Sequence, residues 1–261
     1  MAERLLSIVV PTFQRAQLLE RCLISVERGT HCDFELIVVD GGGTDATPEV
    51  LERARQRIGG RLQVIREEPR QGFTRAVNRG LRAATGRFIT WLNDDARPML
   101  GTLDEAVEQM QAAKADVGLL ALFHRWHGTK NVAYETNLAG RCFRLLHARG
   151  TLFANFGVAR RETFASLGFF DERFQVQASD ADFSMKVWNS GLKVEPAYMT
   201  AIDHDEHYDA RRDADEKQIK ADNEALLAKW EFEHRKDDHE DFDPTHPCTL
   251  RGRRDQPAMA V

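Results

Sequence analysis

The sequence contains few cysteines and no long apolar run. The four cysteines are Cys22, Cys32, Cys142 and Cys248. No two of them form a CxxC pair, so the sequence indicates neither a zinc knuckle nor a disulfide framework, and we expect reduced thiols. The longest apolar runs, such as 117–123, fall far short of the roughly 20 residues that cross a bilayer, and the N-terminus lacks a signal-peptide layout. We therefore expect no membrane span and a cytoplasmic location.

Two common nucleotide-binding signatures and a broadly basic composition are also missing. No GxxxxGK[ST] motif occurs, and Pro11-Thr12 follows the first apolar run where a dinucleotide-binding protein would have a glycine-rich turn. These absences argue against a P-loop enzyme and against a dinucleotide dehydrogenase. The formal net charge is −5, and residues 203–243 carry 16 acidic and 7 basic side chains. The acidity therefore lies towards the C-terminus, and the composition does not favour a broad nucleic-acid-binding surface.

Short apolar runs alternate with amphipathic segments over the first hundred residues, a pattern that predicts βα units feeding a mostly parallel sheet. The predicted strands are 5–10, 34–39, 62–65, 88–92, 117–123 and 192–197. The predicted helices are 17–28, 47–57, 74–84, 99–114, 162–167, 180–190 and 213–230. Residues 124–155 form a less regular stretch. The sequence therefore predicts an α/β fold, with an irregular segment where binding loops are expected.

Polar residues follow two of the predicted strands, at the sheet edge where open parallel sheets bind ligands. Asp40 and three glycines follow the second strand, and Asn93-Asp94-Asp95 follow the fourth. The paired carboxylates are hard oxygen ligands suited to Mg²⁺ or Mn²⁺ beside a diphosphate. Asp40 can accept a hydrogen bond from a base or a ribose. Each segment taken alone is equally consistent with an ordinary polar turn. Whether they form a binding site therefore depends on the other motifs that accompany them.

Four sequence blocks follow one another in a recognisable order. They are residues 7–15 (SIVVPTFQR), 35–45 (ELIVVDGGGTD), 72–95 (GFTRAVNRGLRAATGRFITWLNDD) and 168–191 (GFFDERFQVQASDADFSMKVWNSG). Over about residues 5–204 the chain resembles the family 2 inverting glycosyltransferases of the GT-A fold. The resemblance implies an α/β, Rossmann-like, mostly parallel sheet flanked by helices. We predict a nucleotide-sugar-binding half (1–96), an acceptor-side half (97–202), and a charged, partly flexible C-terminal helical extension (203–261).

The resemblance also implies which residues handle the donor. Those expected to bind the nucleotide sugar are Pro11, Thr12, Phe13, Arg15, Asp40, Gly72, Asn93, Asp94 and Asp95. Asp94 and Asp95 match the acidic motif that binds the donor diphosphate and a divalent metal, with Asp95 as the direct ligand. Asn93 departs from the aspartate that is commoner there. His204 matches a histidine that can complete the metal site, with a solvated surface histidine as its alternative, and His207 is a second candidate in the same run.

In the fourth block, the resemblance implies that Asp180 is the catalytic base beside the acceptor. Asp182 is the alternative base, but residues i and i+2 of a helix point to different faces, so only one of them can face the acceptor. A helix N-cap is the structural alternative for Asp180. Ser179 replaces a glutamate that the family often has. Elsewhere, His124 and His127 have metal-like spacing, although acceptor contact or packing is the favoured interpretation.

The sequence therefore predicts a metal-dependent inverting glycosyltransferase that moves a single sugar from a nucleoside diphosphate sugar to an acceptor hydroxyl, with Mn²⁺ or Mg²⁺ as cofactor. The acceptor class stays open among glycans, small molecules, proteins and modified nucleic acids. The QxxRW motif of the processive synthases of this family is missing, which favours single transfer. Two alternatives remain, a nucleotidyltransferase, suggested by GGGTD at 41–45, and a non-catalytic nucleotide- or glycan-binding domain, suggested by Asn93 and Ser179.

Overall fold

The computed structural model describes residues 4–204, 215–231 and 242 with their side chains, and residues 210–214, 232 and 250–253 by their backbone. The strands are β1 (Leu6–Thr12), β2 (Phe34–Asp40), β3 (Leu62–Arg66), β4 (Phe88–Trp91), β5 (Ala96–Pro98), β6 (Val117–His124), β7 (Val132–Leu138), β8 (Arg141–Ala148), β9 (Thr151–Phe153), β10 (Gly157–Arg160), β11 (Lys193–His204), β12 (Trp230–Phe232) and β13 (Leu250–Arg253). The helices are α1 (Ala16–Gly29), α2 (Thr47–Ile58), α3 (Phe73–Ala83), α4 (Thr102–Ala112), α5 (Arg161–Leu167), α6 (Ser179–Asn189) and α7 (Ala210–Lys229).

Eleven of the described strands form one sheet, whose main order is β3-β2-β1-β4-β10-β6-β11-β5. The first four of these run parallel to one another, and β6 and β11 are also parallel. β10 lies antiparallel between β4 and β6, and β5 lies antiparallel to β11. Because β1, β2 and β4 are parallel, their carboxyl ends meet at one edge of the sheet. The predicted α/β sheet flanked by helices is confirmed.

The central strand β1 is buried on both faces, as expected for a parallel strand between two layers of helices. Ile8 and Val10 pack on one face, with apolar residues of α1, α2 and α4. Val9 packs on the other face, with α3 and Trp91. Gly80 allows α3 to lie directly on the sheet, because a Cβ at this position would stand 2.3 Å from Cγ1 of Val9. The first turn of α3 is thereby held at the edge where the strands end.

The main difference from the sequence-based elements lies in residues 124–155, which form the strands β7, β8 and β9. These strands pair antiparallel, and β8 joins the large sheet through β6. β7 is at most half-buried along its whole length, so its sequence shows neither a long apolar run nor a clean alternation. β11 is also longer than the predicted 192–197, because the strand resumes after an irregularity between Ala197 and Ile202 and ends at His204.

The predicted helix 213–230 is found as α7, and its end is fixed to the body of the protein. Leu226 and Trp230 are buried in a cluster with Phe174 and Met185, the last of which belongs to α6. The division of the chain at residues 96 and 202 stays a prediction, and His207 lies outside the described residues. Within the described ranges, no helix combines the length and hydropathy of a membrane-spanning segment.

Candidate active site

A cavity of about 910 Å³ lies over the carboxyl ends of β1 and β4 and is also lined by residues of α6 and α7. Asp95 and Asp180 both line it, although 85 residues separate them in sequence. Of the eleven residues expected to bind donor, metal or acceptor, ten line this cavity and Asp40 does not. The sheet topology explains the convergence, since the strands that precede these loops end at one edge.

The donor-side wall is built on a network that joins the end of β1 to the turn after β4. Thr12 Oγ1 donates a hydrogen bond to Oδ2 of Asp94 at 2.9 Å. Arg15 spans both acids, with NH1 2.7 Å from Oδ1 of Asp94 and NH2 2.9 Å from Oδ2 of Asp95. β1 and β4 are adjacent parallel strands, so residues just beyond their ends become neighbours. All four side chains are at least largely buried, which strengthens these charge-assisted contacts.

Asp95 also faces His204. His204 ends β11 and pairs with Ala96 of β5, which sets its ring beside the turn that carries Asp95. Nε2 of His204 lies 3.3 Å from Oδ1 of Asp95. Burial by itself would raise the pKa of Asp95, but His204 and Arg15 outweigh it and lower that pKa to about 2. Asp95 is therefore a carboxylate at any physiological pH.

The residues present fit a divalent metal. Oδ1 of Asp95 is buried and has no well-aligned hydrogen-bond partner. Two ligands about 2.1 Å from an octahedral ion stand about 3.0 Å apart, close to the spacing between this oxygen and the His204 nitrogen. In the described part of the chain, no group of three or more His, Cys, Asp or Glu side chains converges. Mg²⁺ is commonly held by one or two carboxylates together with substrate phosphates, so a two-residue site suits a metal that arrives with a diphosphate.

The other expected donor-binding residues form the neighbouring wall. Pro11, Phe13 and Asn93 line the cavity, and Arg70 lies over the Phe13 ring at 4.5 Å. Gly72 precedes α3 with a φ of 94°, a backbone conformation that a residue with a Cβ rarely adopts. Asp40 is 3% exposed, and its Oδ1 accepts the amide hydrogen of Gly42, so it lies behind the wall.

Asp180 occupies the first turn of α6 on the acceptor-side wall. The N-cap position is held by Ala178, so Asp180 does not cap the helix; its Oδ1 accepts the amide of Ala181 instead. Asn155 Nδ2 lies 3.4 Å from Oδ2. Burial raises the pKa of Asp180 to about 6, which the hydrogen bonds from Ala181 and Asn155 only partly offset. A carboxyl group with such a pKa can take up a proton near neutral pH, as a general base must.

Asp182 points away from the cavity. It is fully buried, accepts a hydrogen bond from Nε1 of Trp230 at 2.8 Å and pairs with Nζ of Lys229. The two aspartates of α6 therefore have different surroundings: Asp180 faces the cavity, and Asp182 anchors the end of α7. Trp230 thereby has a packing role.

The two histidines near Trp126 do not form a metal site. His124 is 1% exposed and packs edge-on against Phe156, and burial together with His204 lowers its pKa to about 3. It is therefore neutral. His127 is exposed and lies in a separate, shallower pocket with Arg125 and Arg141.

Several lining residues were not found from the sequence. Asn155 lies in the segment between β9 and β10, where no motif marked it, and its main-chain oxygen accepts a hydrogen bond from Nε1 of Trp91. The helix α7 contributes six of the lining residues, Asp215, Glu216, Ile219, Asn223, Leu226 and Leu227. These six residues recur at helical spacing, but in a charge-dense segment that pattern predicts only an exposed helix.

Comparisons with known proteins agree with this architecture. The sequence model of glycosyl transferase family 2 matches residues 7–164. A PGL/p-HBAD biosynthesis glycosyltransferase of Mycobacterium bovis is 32% identical over 211 residues, which cover 78% of this chain and 75% of the relative.

Two solved structures show the same fold. The mannosyltransferase PcManGT from Pyrobaculum calidifontis, in complex with GDP-Man and Mn²⁺, has a TM-score of 0.61 and 24% identity, over 77% of this chain and 57% of that one. S. aureus TarS 1-349 in complex with UDP-GlcNAc has a TM-score of 0.61 and 20% identity, over 78% of this chain and 60% of that one. The chain belongs to glycosyl transferase family 2 and is a glycosyltransferase with a GT-A fold.

Proposed function

We propose that the protein transfers a single sugar from a nucleoside diphosphate sugar to an acceptor hydroxyl with inversion at the anomeric carbon. One observation carries the proposal. Asp95, a carboxylate kept ionised by its contacts, and Asp180, a carboxyl group with a pKa of about 6, line the same cavity on different structural elements, the turn after β4 and the first turn of α6. A displacement reaction needs these two functions on opposite sides of the sugar, one for the leaving group and one for the incoming hydroxyl.

On the donor side, Pro11, Thr12, Phe13 and Gly72 form the wall against which the nucleotide is expected to bind. Arg15 stands where its guanidinium can pair with a diphosphate oxygen as well as with the acids. Asp95 and His204 would hold Mn²⁺ or Mg²⁺, with Asp94 and Asn93 beside them. When bound, the metal would act as a Lewis acid that stabilises the charge on the leaving diphosphate.

On the acceptor side, Asp180 removes the proton from the attacking hydroxyl as the new glycosidic bond forms. Asn155 orients the carboxylate through its amide, and the backbone amide of Ala181 fixes the second oxygen. General-base assistance of this kind contributes about 10² to 10⁴ in rate. In the proposed single displacement, the acceptor oxygen attacks as the diphosphate leaves from the other face of the sugar, so the anomeric centre is inverted.

The solved relatives support the donor class. PcManGT was solved with GDP-Man and Mn²⁺, and TarS with UDP-GlcNAc, so both bind nucleotide sugars in the fold that this chain shares. Transfer of one sugar at a time is supported by the sequence, which lacks the QxxRW motif of the processive synthases.

A donor screen tests the proposal. Purified protein is incubated with UDP-, GDP- and dTDP-sugars, with and without Mn²⁺, and release of nucleoside diphosphate is measured with a panel of hydroxyl acceptors. We expect one donor to give metal-stimulated release that Asp180→Asn abolishes and Asp116→Asn does not, since Asp116 pairs with Lys193 at the surface. The anomeric configuration of the product is then read by NMR. Release of pyrophosphate would indicate a nucleotidyltransferase, and tight nucleotide binding without any product would indicate a binding domain.

A further inference from the structure

Asp222 of α7 is a buried carboxylate that serves a loop outside its own helix. It is 2% exposed. Its Oδ2 accepts the backbone amides of three consecutive residues, Gln175 at 3.1 Å, Val176 at 2.9 Å and Gln177 at 3.0 Å. Its Oδ1 accepts a hydrogen bond from Gln218 one turn earlier in α7. Both oxygens are thus engaged, and none of these groups belongs to the donor side of the cavity.

The loop that Asp222 holds leads directly to Asp180. Val176 and Gln177 line the cavity, and Ala178 follows with a φ of 68°, the left-handed conformation that non-glycine residues rarely adopt. Such a conformation persists only when its surroundings hold it. Three amides bound to one anion supply that restraint immediately before α6 begins. The position of the first turn of α6 therefore depends on the carboxylate of Asp222.

A second contact fixes α7 itself. Lys229 lies seven residues after Asp222, about two helical turns, and hence on nearly the same side of α7. Its ammonium group pairs with Asp171 at 2.8 Å and with Asp182 of α6. The segment from Asp171 to Asp182 is thus fastened to α7 at both of its ends and in the middle. The described part of α7, which falls within the predicted charged extension, therefore lines the cavity together with α6.

We propose that Asp222 is a positioning residue for Asp180, holding the 175–178 loop so that the Asp180 carboxyl group points at the acceptor hydroxyl. This inference rests on the proposed function. A carboxylate suits the task because a charged acceptor binds amide hydrogens more strongly than a neutral one. Asp222→Asn keeps the size of the side chain and one carbonyl oxygen, but it removes the charge and turns one acceptor into a donor that faces the amides or Gln218.

The test compares Asp222→Asn with Glu224→Gln, which removes a carboxylate from an exposed site on the same helix. In Asp222→Asn we expect turnover with saturating acceptor to fall about tenfold to a hundredfold, as for a misplaced reacting group. The dissociation constant for nucleoside diphosphate should stay within about twofold, and the amides of 175–177 should exchange with solvent faster. Glu224→Gln should match the wild type in turnover, in nucleotide affinity and in the rate of amide exchange. Thermal melting checks that both variants are folded.

Two results would overturn the inference. One is unchanged turnover in Asp222→Asn, and the other is a parallel loss of turnover and nucleotide affinity, which would indicate a general structural role. A further readout does not depend on turnover: NMR titration of the Asp180 carboxyl carbon. Loosening the loop admits water, so the Asp180 pKa should move down from about 6 in Asp222→Asn. If the wild type transfers no sugar, the proposed function fails, and this titration alone decides the inference: an unmoved Asp180 pKa refutes it.

Discussion

The pH dependence of sugar transfer should follow the ionisation of Asp180. Its pKa is about 6 because burial disfavours the charged form, so the base is lost as the pH falls through 6. About 9% of the groups are ionised at pH 5 and about 91% at pH 7, which predicts a roughly tenfold rise in turnover between these values. An aspartate of ordinary pKa would be almost fully ionised at both, and turnover would barely change.

The assay measures transfer with saturating donor and acceptor from pH 5 to pH 8. The Asp95 pKa of about 2 keeps that carboxylate ionised across the whole window. The profile is repeated with His204→Gln as a control on the metal side, where overall turnover falls but the rise in turnover with pH must persist. In Asp180→Asn, turnover should drop by a factor of about 10² to 10⁴, and the rise of turnover with pH should disappear. A flat wild-type profile, or an unchanged profile in Asp180→Asn, would refute the assignment of the base.

Three further predictions concern other parts of the molecule. Asp95→Ala should remove the increase in nucleoside diphosphate affinity that Mn²⁺ produces, as measured by calorimetry with and without the metal; an increase equal to that of the wild type would contradict a ligand role. Lys229→Met should lower the free energy of unfolding by about 3 kcal/mol, because it removes the lysine in closest contact with the buried Asp182 and leaves Lys186 at 3.9 Å; chemical denaturation measures this loss. Gly80→Ala should destabilise by about 1–3 kcal/mol, because the added methyl group meets Val9 at 2.3 Å; an unchanged melting temperature would show that α3 can move away from the sheet.

The sequence was most informative for the strands whose side chains are completely buried. The apolar runs that became β1, β2 and β4 predicted parallel strands, and the polar residues after β1 and β4 do meet at one cavity. Asp40 shows the limit of the same argument. It follows β2 as expected, but its side chain turns back to the amide of Gly42, a choice set by local loop geometry that the residue type does not reveal.

Much of the acceptor side of the cavity could not be predicted from the sequence, because it is built by contacts between residues far apart in the chain. Asp222 lies 45 to 47 residues from the amides that it binds, and nothing in its charge-dense segment distinguishes it from the exposed acids around it. β7 was missed for a different reason, since its half-buried side chains give no periodic signal. Asn155 belongs to a connecting segment, where function depends on placement by the scaffold.

The position of β10 in the sheet has a consequence for synthesis of the chain. β10 (Gly157–Arg160) hydrogen-bonds to both β4 and β6, so it fills a gap between strands that leave the ribosome well before it. Until it arrives, β4 presents a free edge of unpaired amides and carbonyls, the kind of surface to which other nascent chains add. A fragment that stops soon after β4 should therefore aggregate. In the whole chain, the four residues of β10, which are synthesised some 65 positions after β4, cover the edge of the strand that precedes Asp94 and Asp95.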